Sequence, residues 1–320
     1  MKRIALLTSG GDASGMNAAI RSVVRVGYVR GVEVIGVYSG YKGLLNADFH
    51  PLLPRDVSGI LERGGTILRT SRVPEFKEKE NQLKAIENLK AAEIEGLIVI
   101  GGNGSQSGNY ALSETGFPTI GIASTIDNDL WGTDYTIGFD TAVNTAINAI
   151  DKIRDAAVSH GRTFIVEVMG REAGFIALDA GLGGGADFIL VPEIPFNIEK
   201  IVENMREAFR KNKMHHLIVC AEGAIHGRDL EKEIKKYMPE ADTRVSVLGY
   251  IQRGGPPTRF DRILASQLGE HAVDALLGGE KGKLVGIKDN KITLIPLKDA
   301  VTKRKTLNEE LYRLAEEVSV

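Results

Sequence analysis

The sequence predicts an α/β protein with two doubly wound domains, each built on a mainly parallel sheet. Short runs rich in valine and isoleucine alternate along the chain with longer amphipathic segments. The short runs are apolar on both faces, as is typical of parallel strands covered by helices on both sides. A length of 320 residues is too great for one ordinary hydrophobic core and suits two domains of roughly 150 residues each.

The order of the elements follows from these runs. The predicted strands, in chain order, are KRIALLT, VEVIGVYS, EGLIVIGG, TIGIAST, TFIVEVMG, DFILVPE, HLIVCAEG and RVSVLGYI. The predicted helices are 16–29, 78–92, 139–158, 197–212, 228–237, 258–277 and 308–317. Before the last helix, KLVGIKD and KITLIPL form a hairpin-like pair joined through Asp289 and Asn290.

Two segments indicate where the chain passes between domains. The long helix near Phe139 follows a loop rich in aspartate and glycine, and QRGGPPT at 252–258 forms a second glycine- and proline-rich patch. We therefore predict discontinuous domains. The first comprises 1–138 and 252–302, and the second comprises 139–251 and 303–320.

Composition excludes several classes of partner. The chain has 40 basic and 42 acidic side chains and a net charge of −2, so no global field attracts nucleic acid or a membrane. No segment approaches the ~20 apolar residues of a membrane span, and the N-terminal apolar stretch is too short for a signal peptide. The single cysteine, Cys220, lies in the apolar run HLIVCAEG and predicts a buried thiol in a reducing compartment. We expect a cytoplasmic protein.

Two glycine-rich loops follow predicted strands and precede helical segments. The first is Ser9-Gly10-Gly11-Asp12, and the second runs from Gly101 to Ser105. Backbone N–H groups in such loops, together with the positive end of the following helix, bind phosphate. The glycine spacing fits neither a Walker A loop nor a dinucleotide fingerprint, and one such loop could be a tight turn only. The pair favours a polyphosphate such as a nucleoside triphosphate.

Carboxylates follow the next strand. Asp127 and Asp129 lie two residues apart in TIDND, which comes directly after TIGIAS. A phosphoryl acceptor hydroxyl needs a base, and a Mg²⁺-bound phosphate needs oxygen ligands. Aspartate also populates ordinary turns, but the position beside two phosphate loops favours the catalytic interpretation.

Basic residues are placed near strand ends and in one cluster. Arginines suited to bidentate phosphate contacts lie at or near strand ends or glycine turns, at Arg72, Arg162, Arg171, Arg244 and Arg253. Arg21 and Arg25 share one face of the first helix. Lys211, Lys213 and His215 follow a later helix, where spacing alone favours a solvated face.

Taken together, TSGGD with GMNAAIR, IGGNGS, TIDND, EVMGREAG and LGYIQRGGPPT resemble the motifs of the bacterial ATP-dependent 6-phosphofructokinases. The resemblance covers nearly the whole chain and implies a phosphofructokinase-like pair of Rossmann-like domains. It implies a cytoplasmic kinase of glycolysis that uses Mg²⁺ and ATP to phosphorylate fructose 6-phosphate at its 1-hydroxyl. It also implies a homotetramer.

The resemblance also implies roles for individual residues. Asp127 is the implied base, with Thr125 and Asp129 beside it, and Arg171 stabilises the transferring phosphoryl group. The implied nucleotide site comprises Gly11, Arg72, Val73, Gly102, Asn103, Gly104 and Ser105. The implied sugar-phosphate site comprises Thr125, Asp127, Met169, Gly170, Arg171, Glu222, Tyr250 and Arg253, with Arg162 and Arg244 from a neighbouring subunit. The implied effector site, for ADP or GDP and for phosphoenolpyruvate, comprises Arg21, Arg25, Arg154, Gly185, Asp187, Lys211, Lys213 and His215.

Several positions depart from the family pattern. Asn103 stands where an acid tied to Mg²⁺ is usual, so a metal contact there is weakened and Asp129 becomes a second candidate ligand. Ala123 and Ser124 replace a common Pro-Gly, and Tyr250 stands where a histidine is common. The remaining departures are Phe175 for aspartate and Asp187 for glutamate.

These departures keep two alternatives open. One is the same chemistry with pyrophosphate as the donor, against which Gly104 argues. The other is a catalytically weak paralogue that binds ligands and regulates, against which the retained Asp127, Asp129 and Arg171 argue.

Overall fold

The computed structural model describes residues 1–213 and 215–319, and their contacts divide the chain into two compact units. Unit 1 comprises Met1–Thr141 and Arg253–Lys305, and unit 2 comprises Ala142–Gln252 and Thr306–Val320. The final residue of unit 2, which also ends the second predicted domain, lies outside the described residues. Each unit is an α/β sandwich with a mainly parallel sheet, which confirms the predicted fold class.

Unit 1 is built on a seven-stranded sheet. Its strands are β1 (Arg3–Thr8), β2 (Glu33–Val37), β3 (Phe49–Leu52), β4 (Gly96–Gly101), β5 (Thr119–Ala123), β10 (Lys283–Lys288) and β11 (Lys291–Pro296). Their order across the sheet is β11-β10-β5-β4-β1-β2-β3. The pairs β2–β3 and β10–β11 are antiparallel, and the other neighbours are parallel. Its helices are α1 (Met16–Val29), α2 (Tyr41–Asn46), α3 (Lys79–Ala91), α4 (Asn103–Glu114), α9 (Arg259–Leu277) and α10 (Leu297–Thr302).

The side on which the chain adds strands to the sheet changes between β1 and β4, which are parallel neighbours. From β1 the chain proceeds outward through β2 and β3, and it then returns to continue from β4 to β5 on the other side. In open α/β sheets, ligands bind beyond the carboxyl ends of the strands at such a switch point. The strands there are fully covered, since every residue of β4 and β5 is buried.

Unit 2 is built on a four-stranded parallel sheet. Its strands are β6 (Thr163–Val168), β7 (Phe188–Leu190), β8 (His216–Ala221) and β9 (Thr243–Val247). Their order across the sheet is β7-β8-β6-β9. Its helices are α6 (Phe175–Gly183), α7 (Ile198–Arg210), α8 (Gly227–Tyr237) and α11 (Glu309–Val318), together with all but the first three residues of α5 (Phe139–His160). A core that includes Ile165, Ile218 and Met205 fills the space between the sheet and its helices.

Most predicted elements are present, and the differences have local causes. The strand predicted over RVSVLGYI ends at Val247, because Gly249 adopts a positive φ of 53° and a 3₁₀ turn follows over Gly249–Gln252. The strand predicted over DFILVPE is reduced to three residues. Sequence periodicity did not identify α2, α6, α10 or β3, each of which spans nine residues or fewer.

The hairpin prediction is confirmed. β10 and β11 pair antiparallel from Lys283↔Pro296 to Lys288↔Lys291. Asp289 and Asn290 both have positive φ, at 50° and 58°, as a two-residue turn of type I′ requires.

Two further predictions concern single features. Cys220 is buried in β8, which confirms the prediction of a buried thiol, and burial raises the pKa of that thiol to about 12. Among the described residues, every helix is too short or too polar to cross a membrane.

Candidate active site

The two glycine-rich loops lie side by side at the switch point of unit 1. β1 and β4 pair in parallel register up to Thr8↔Ile100, so both loops begin at the same edge of the sheet. The Ser9 N–H donates to Ile100 O at 3.0 Å. A β-carbon at Gly101 would lie 2.5 Å from Ser105 Oγ and 2.7 Å from Ser9 O, so only glycine permits this contact between the loops.

Each of these loops leads into a helix. The N-terminus of α4 is accessible to an anion, since Gly104 is exposed, whereas the first residues of α1 are buried. α1 is preceded by Gly15 and α4 by Gly102. Within the described residues, neither first turn carries an acidic residue or a side-chain cap. N–H groups without such partners, together with the positive end of the helix, provide a phosphate site.

A buried hydroxyl adds a further donor to this site. Ser105 Oγ is buried and has no hydrogen-bond partner among the described residues. The Tyr41 hydroxyl donates to the carbonyl oxygen of the same serine, which holds this turn against the core. Asn103, the first residue of α4, is half-buried, and its carbonyl oxygen accepts from Ser107 Oγ at 2.9 Å.

The carboxylate loop contacts the second glycine loop. The Ser124 N–H donates to Gly101 O at 3.2 Å, and a β-carbon at Gly102 would lie 3.1 Å from Thr125 Cβ. Asp127 is only 5% exposed, and its N–H donates to Thr125 Oγ1 at 3.1 Å. The structure thus brings together the predicted base and both predicted phosphate loops.

A network of side chains fixes the turn that contains Asp127. Asn128 has a positive φ of 52°, and its side chain donates to Asp134 O and accepts from the Thr136 N–H, each at 3.1 Å. Thr136 Oγ1 donates to Thr125 O at 2.6 Å. Asp134 itself is exposed and accepts from the Asp289 N–H at 2.7 Å, so its carboxylate supports the β10–β11 hairpin.

Arg253 lies against the first glycine loop. A β-carbon at Gly11 would be 3.3 Å from the Arg253 guanidinium carbon. Ser14 Oγ lies 2.9 Å from Gly255 O and 3.3 Å from Arg253 O, which holds the 253–255 segment beside this loop. Val73 packs against the core of unit 1, whereas Arg72 is exposed.

In unit 2, two adjacent strand ends carry predicted sugar-phosphate residues. β6 and β8 are parallel neighbours, and the Glu222 N–H after β8 donates to Val168 O at 2.9 Å. A Glu222 carboxylate oxygen accepts from the Arg171 N–H at 2.9 Å. Arg171 has a φ of 53°, in the left-handed region, and Met169 is buried. The structure therefore places Met169, Gly170, Arg171 and Glu222 in one cluster.

Two other predicted arginines, Arg162 and Arg244, form ion pairs with the same carboxylate. Arg162 Nε lies 2.6 Å from one oxygen of Asp242, and an Arg244 guanidinium nitrogen lies 2.6 Å from the other. Hydrogen bonding from Arg162 lowers the pKa of Asp242. These side chains lie where β6 and β9 begin, since Thr163 pairs with Thr243. Tyr250, in the turn that follows β9, is 79% exposed.

The predicted effector residues of unit 2 fall into separate groups. Asp187 contacts Lys213 Nζ at 2.5 Å and accepts from the Leu217 N–H at 2.7 Å. Burial works against ionisation of Asp187, but His216, Lys213 and the Leu217 N–H together lower its pKa. Lys211 pairs instead with Glu207 on the surface of α7 and the turn after it. His215 is half-buried.

Arg154, Arg21 and Arg25 complete the predicted effector set. A β-carbon at Gly185 would lie 3.0 Å from Arg154 Nη2, a buried nitrogen with no hydrogen-bond partner among the described residues. Arg21 and Arg25 belong to unit 1 and are half-buried on α1. Partial burial and the charge of Arg25 lower the pKa of Arg21.

Sequence reasoning did not identify three buried polar residues that organise these loops. Gln106 bonds carbonyl oxygens of β4 and β5, and Gln252 accepts from the Met169 N–H at 3.4 Å. Asp261, fully buried, accepts from Gly138 and Thr141 N–H groups at 2.9 Å each. Gln106 and Asp261 have polar neighbours in the sequence, so the local pattern gave no signal of their burial. Phe175, noted as a departure, is the buried first residue of α6.

Comparison with known proteins agrees with this geometry. A family model described as phosphofructokinase matches residues 3–276. The curated ATP-dependent 6-phosphofructokinases of Bacillus pumilus and Halalkalibacterium halodurans are each 52% identical over 320 residues, which cover all of this chain and all of each relative.

Solved structures show the same fold. The phosphofructokinase of Pichia pastoris in the T-state matches with a TM-score of 0.88 and 35% identity, over 99% of this chain and 38% of that one. A pyrophosphate-dependent phosphofructokinase from Marinobacter aquaeolei matches with a TM-score of 0.85 and 25% identity, over 97% of this chain and 86% of that one. The chain belongs to the phosphofructokinase family.

Proposed function

We propose that the protein is a cytoplasmic ATP-dependent 6-phosphofructokinase, which transfers the γ-phosphoryl group of ATP to the 1-hydroxyl of fructose 6-phosphate. One observation carries the proposal. Three strand-end loops of unit 1 are in contact, and they combine glycine-rich backbone and the accessible N-terminus of α4 with the buried carboxylate of Asp127. This is the chemistry that a polyphosphate donor and a hydroxyl acceptor require.

Asp127 accepts the proton of the 1-hydroxyl, and the 1-oxygen forms a bond to the γ-phosphorus. The bond from that phosphorus to the β-phosphate oxygen breaks, and ADP leaves with the electron pair. Thr125 and Asp129 support the base, and Arg171 stabilises the negative charge that develops on the transferring group. Gly11, Arg72, Val73, Gly102, Gly104 and Ser105 bind the nucleotide.

Two residues of unit 1 carry oxygen ligands of the kind that magnesium uses. The Asp129 carboxylate and the Asn103 amide offer oxygen ligands, which Mg²⁺ prefers, and Mg²⁺ on a nucleotide needs only one or two protein ligands. When bound, Mg²⁺ neutralises charge on the phosphates. Asn103 brings no charge to the cation, so this chain holds its metal through the phosphates more than through position 103.

The residues proposed to bind the sugar phosphate include Met169, Gly170, Glu222, Tyr250 and Arg253. Arg162 and Arg244 act on the substrate of a neighbouring subunit in a homotetramer. The exposed edge of unit 2 supports assembly, because Val247, Tyr250 and Ile251 are 54%, 79% and 57% exposed there. An edge strand with exposed apolar residues is a surface that proteins usually cover.

Anionic effectors, ADP or GDP and phosphoenolpyruvate, bind at Arg21, Arg25, Arg154, Gly185, Asp187, Lys211, Lys213 and His215. The buried and unpaired Arg154 nitrogen supports this assignment, because an anion would supply the hydrogen bond that it lacks among the described residues.

The experiment that tests the proposal is a coupled assay of the purified protein with fructose 6-phosphate and Mg²⁺, in which ATP and pyrophosphate are compared as donors. We expect turnover with ATP alone. Turnover with pyrophosphate alone would reassign the donor. A folded protein that binds both substrates but turns over neither donor would overturn the kinase assignment in favour of a regulatory paralogue.

A further inference from the structure

The amide of Gln106 joins the ends of two strands in unit 1. Gln106 lies in the first turn of α4 and is fully buried. Its Nε2 is 3.1 Å from Val99 O, 3.1 Å from Gly101 O and 3.2 Å from Ile122 O. The first two oxygens belong to β4 and the third to β5. The two amide hydrogens are therefore shared among three carbonyl groups on neighbouring strands.

Neighbouring residues hold this amide in one orientation. Asn109 Nδ2, one turn further along α4, donates to Gln106 Oε1 at 3.0 Å. The same oxygen occupies the space that a side chain at position 121 would fill, since a β-carbon at Gly121 would overlap it. A residue larger than glycine at this position of β5 would displace the amide.

The joined strand ends carry the two loops that the proposed reaction uses. The loop from Gly102 to Ser105 directly follows β4, and Thr125 and Asp127 follow β5. The Ser124 N–H donates to Gly101 O and links these strand ends directly. Gly101 O also accepts from the buried Gln106 side chain, which therefore stabilises the contact between the ends of β4 and β5.

We propose that Gln106 is a positioning residue for phosphoryl transfer, which holds the phosphate loop and the base loop at their reactive spacing without contact with substrate. The inference rests on the proposed function. A displacement of ~1 Å between reacting groups lowers turnover by a factor of ~10². A brace that fixes two loops therefore acts mainly on turnover, and it acts less on the affinity for each substrate.

The test compares Gln106→Met with a matched control, Asn88→Leu, in the full-length protein. Asn88 Nδ2 also donates to two carbonyl oxygens of unit 1, those of Leu44 and Leu45, but at α2 and away from the strand ends. Both substitutions remove an amide that joins carbonyl groups and keep a similar side-chain volume. Thermal midpoints, kcat, and the KM values for ATP and fructose 6-phosphate are measured for each.

We expect Gln106→Met to lower kcat by a factor of ~10–100 while the KM for fructose 6-phosphate changes by less than ~3-fold. Asn88→Leu should lower the thermal midpoint but leave kcat within ~2-fold. A Gln106→Met protein that is folded and retains kcat within twofold of the parent overturns the inference, as does an equal loss of kcat in Asn88→Leu.

Asn109→Ala keeps the test decisive if Gln106→Met does not fold. It removes only the bond that orients the amide, and we expect kcat to fall by ~3–10-fold with the fold retained. An unchanged kcat in this variant overturns the inference. If the parent protein itself shows no turnover with ATP and fructose 6-phosphate, the proposed function fails and the positioning role fails with it.

Discussion

The strand-end loops of unit 1 and the Asp187 cluster of unit 2 are both proposed to bind phosphate, but they are built from different groups. In unit 1 the donors are backbone N–H groups and the Ser105 hydroxyl, and Gly101 permits the loops to touch. In unit 2 the central contact is an ion pair between Asp187 and Lys213, with the buried imidazole of His216 3.7 Å from the same carboxylate.

This difference has consequences for ligand binding. Backbone donors are present whenever the fold is present, so a phosphate in unit 1 displaces no protein contact. A phosphate that uses Lys213 competes with Asp187 for the same ammonium group. Affinity in unit 1 therefore depends on loop geometry, whereas affinity in unit 2 depends on the exchange of ionic partners.

The largest expected effect follows removal of the proposed base. Asp127→Asn should lower kcat by a factor of ~10²–10⁴, because an amide cannot accept the proton of the acceptor hydroxyl. Phosphoenolpyruvate binding at the proposed effector site, measured by equilibrium titration, should be unchanged, and this separates the two regions. The matched control is Asp134→Asn, since that carboxylate supports the hairpin. Unchanged turnover in Asp127→Asn would rule out Asp127 as the base.

The second effect is a dependence of stability on pH. Burial raises the pKa of Asp261 to about 6 from its ordinary value of 3.8. The folded protein keeps this proton up to about pH 6, whereas the unfolded chain loses it near pH 4. The stabilising contribution is therefore complete below about pH 4 and declines by ~3 kcal/mol as the pH rises to about 6.

Urea unfolding of the parent and Asp261→Asn proteins measures this effect. The difference between their unfolding free energies should become less favourable to the parent between about pH 4.5 and pH 7. Asp187→Asn is the control of opposite sign, because the pKa of Asp187 is lowered. Its contribution is constant in that window and is lost only as the pH falls further. A pH-independent difference for Asp261→Asn would refute the burial argument.

The third prediction concerns the ion pair of the Asp187 cluster. Lys213→Met should weaken ADP binding at the proposed effector site by ~10-fold, because one charge-assisted hydrogen bond is lost. Turnover at saturating substrate should not change. Lys232→Met is the matched control, since Lys232 also belongs to an acid–lysine pair in unit 2 but lies outside the proposed effector set. Equal affinities for ADP in the parent and Lys213→Met proteins would remove Lys213 from the site.

The smallest expected effect concerns the metal. Asn103→Asp should lower the Mg²⁺ concentration that gives half-maximal turnover by ~2–5-fold, because a carboxylate adds charge where the amide offers only a carbonyl oxygen. Coincident Mg²⁺ titrations of the two proteins would show that position 103 does not face the cation. Asn81→Asp on α3 controls for an added charge elsewhere on unit 1.

Local patterns in the sequence determined much of this protein. The alternation of apolar runs and amphipathic segments predicted the mainly parallel sheets, because side-chain period and burial are properties of neighbouring residues. The Asp289-Asn290 turn was predictable for the same reason, since its conformation depends on two residues that tolerate positive φ. The glycine loops and TIDND identified the strand ends where ligands are expected.

Only the tertiary structure decided which side chains meet. Nothing in the spacing of Gln106 indicated that its amide would donate to carbonyl oxygens on two strands. Asp261 accepts a hydrogen bond from the Thr141 N–H, which lies 120 residues away in the sequence. Asp187 and Lys213, grouped by resemblance alone, form an ion pair with each other, whereas Lys211 forms an ion pair with Glu207. Such contacts depend on the register and order of strands far apart in the chain. A local pattern specifies an element and its buried face, but the partner of a buried polar group is specified only when the whole sheet has assembled.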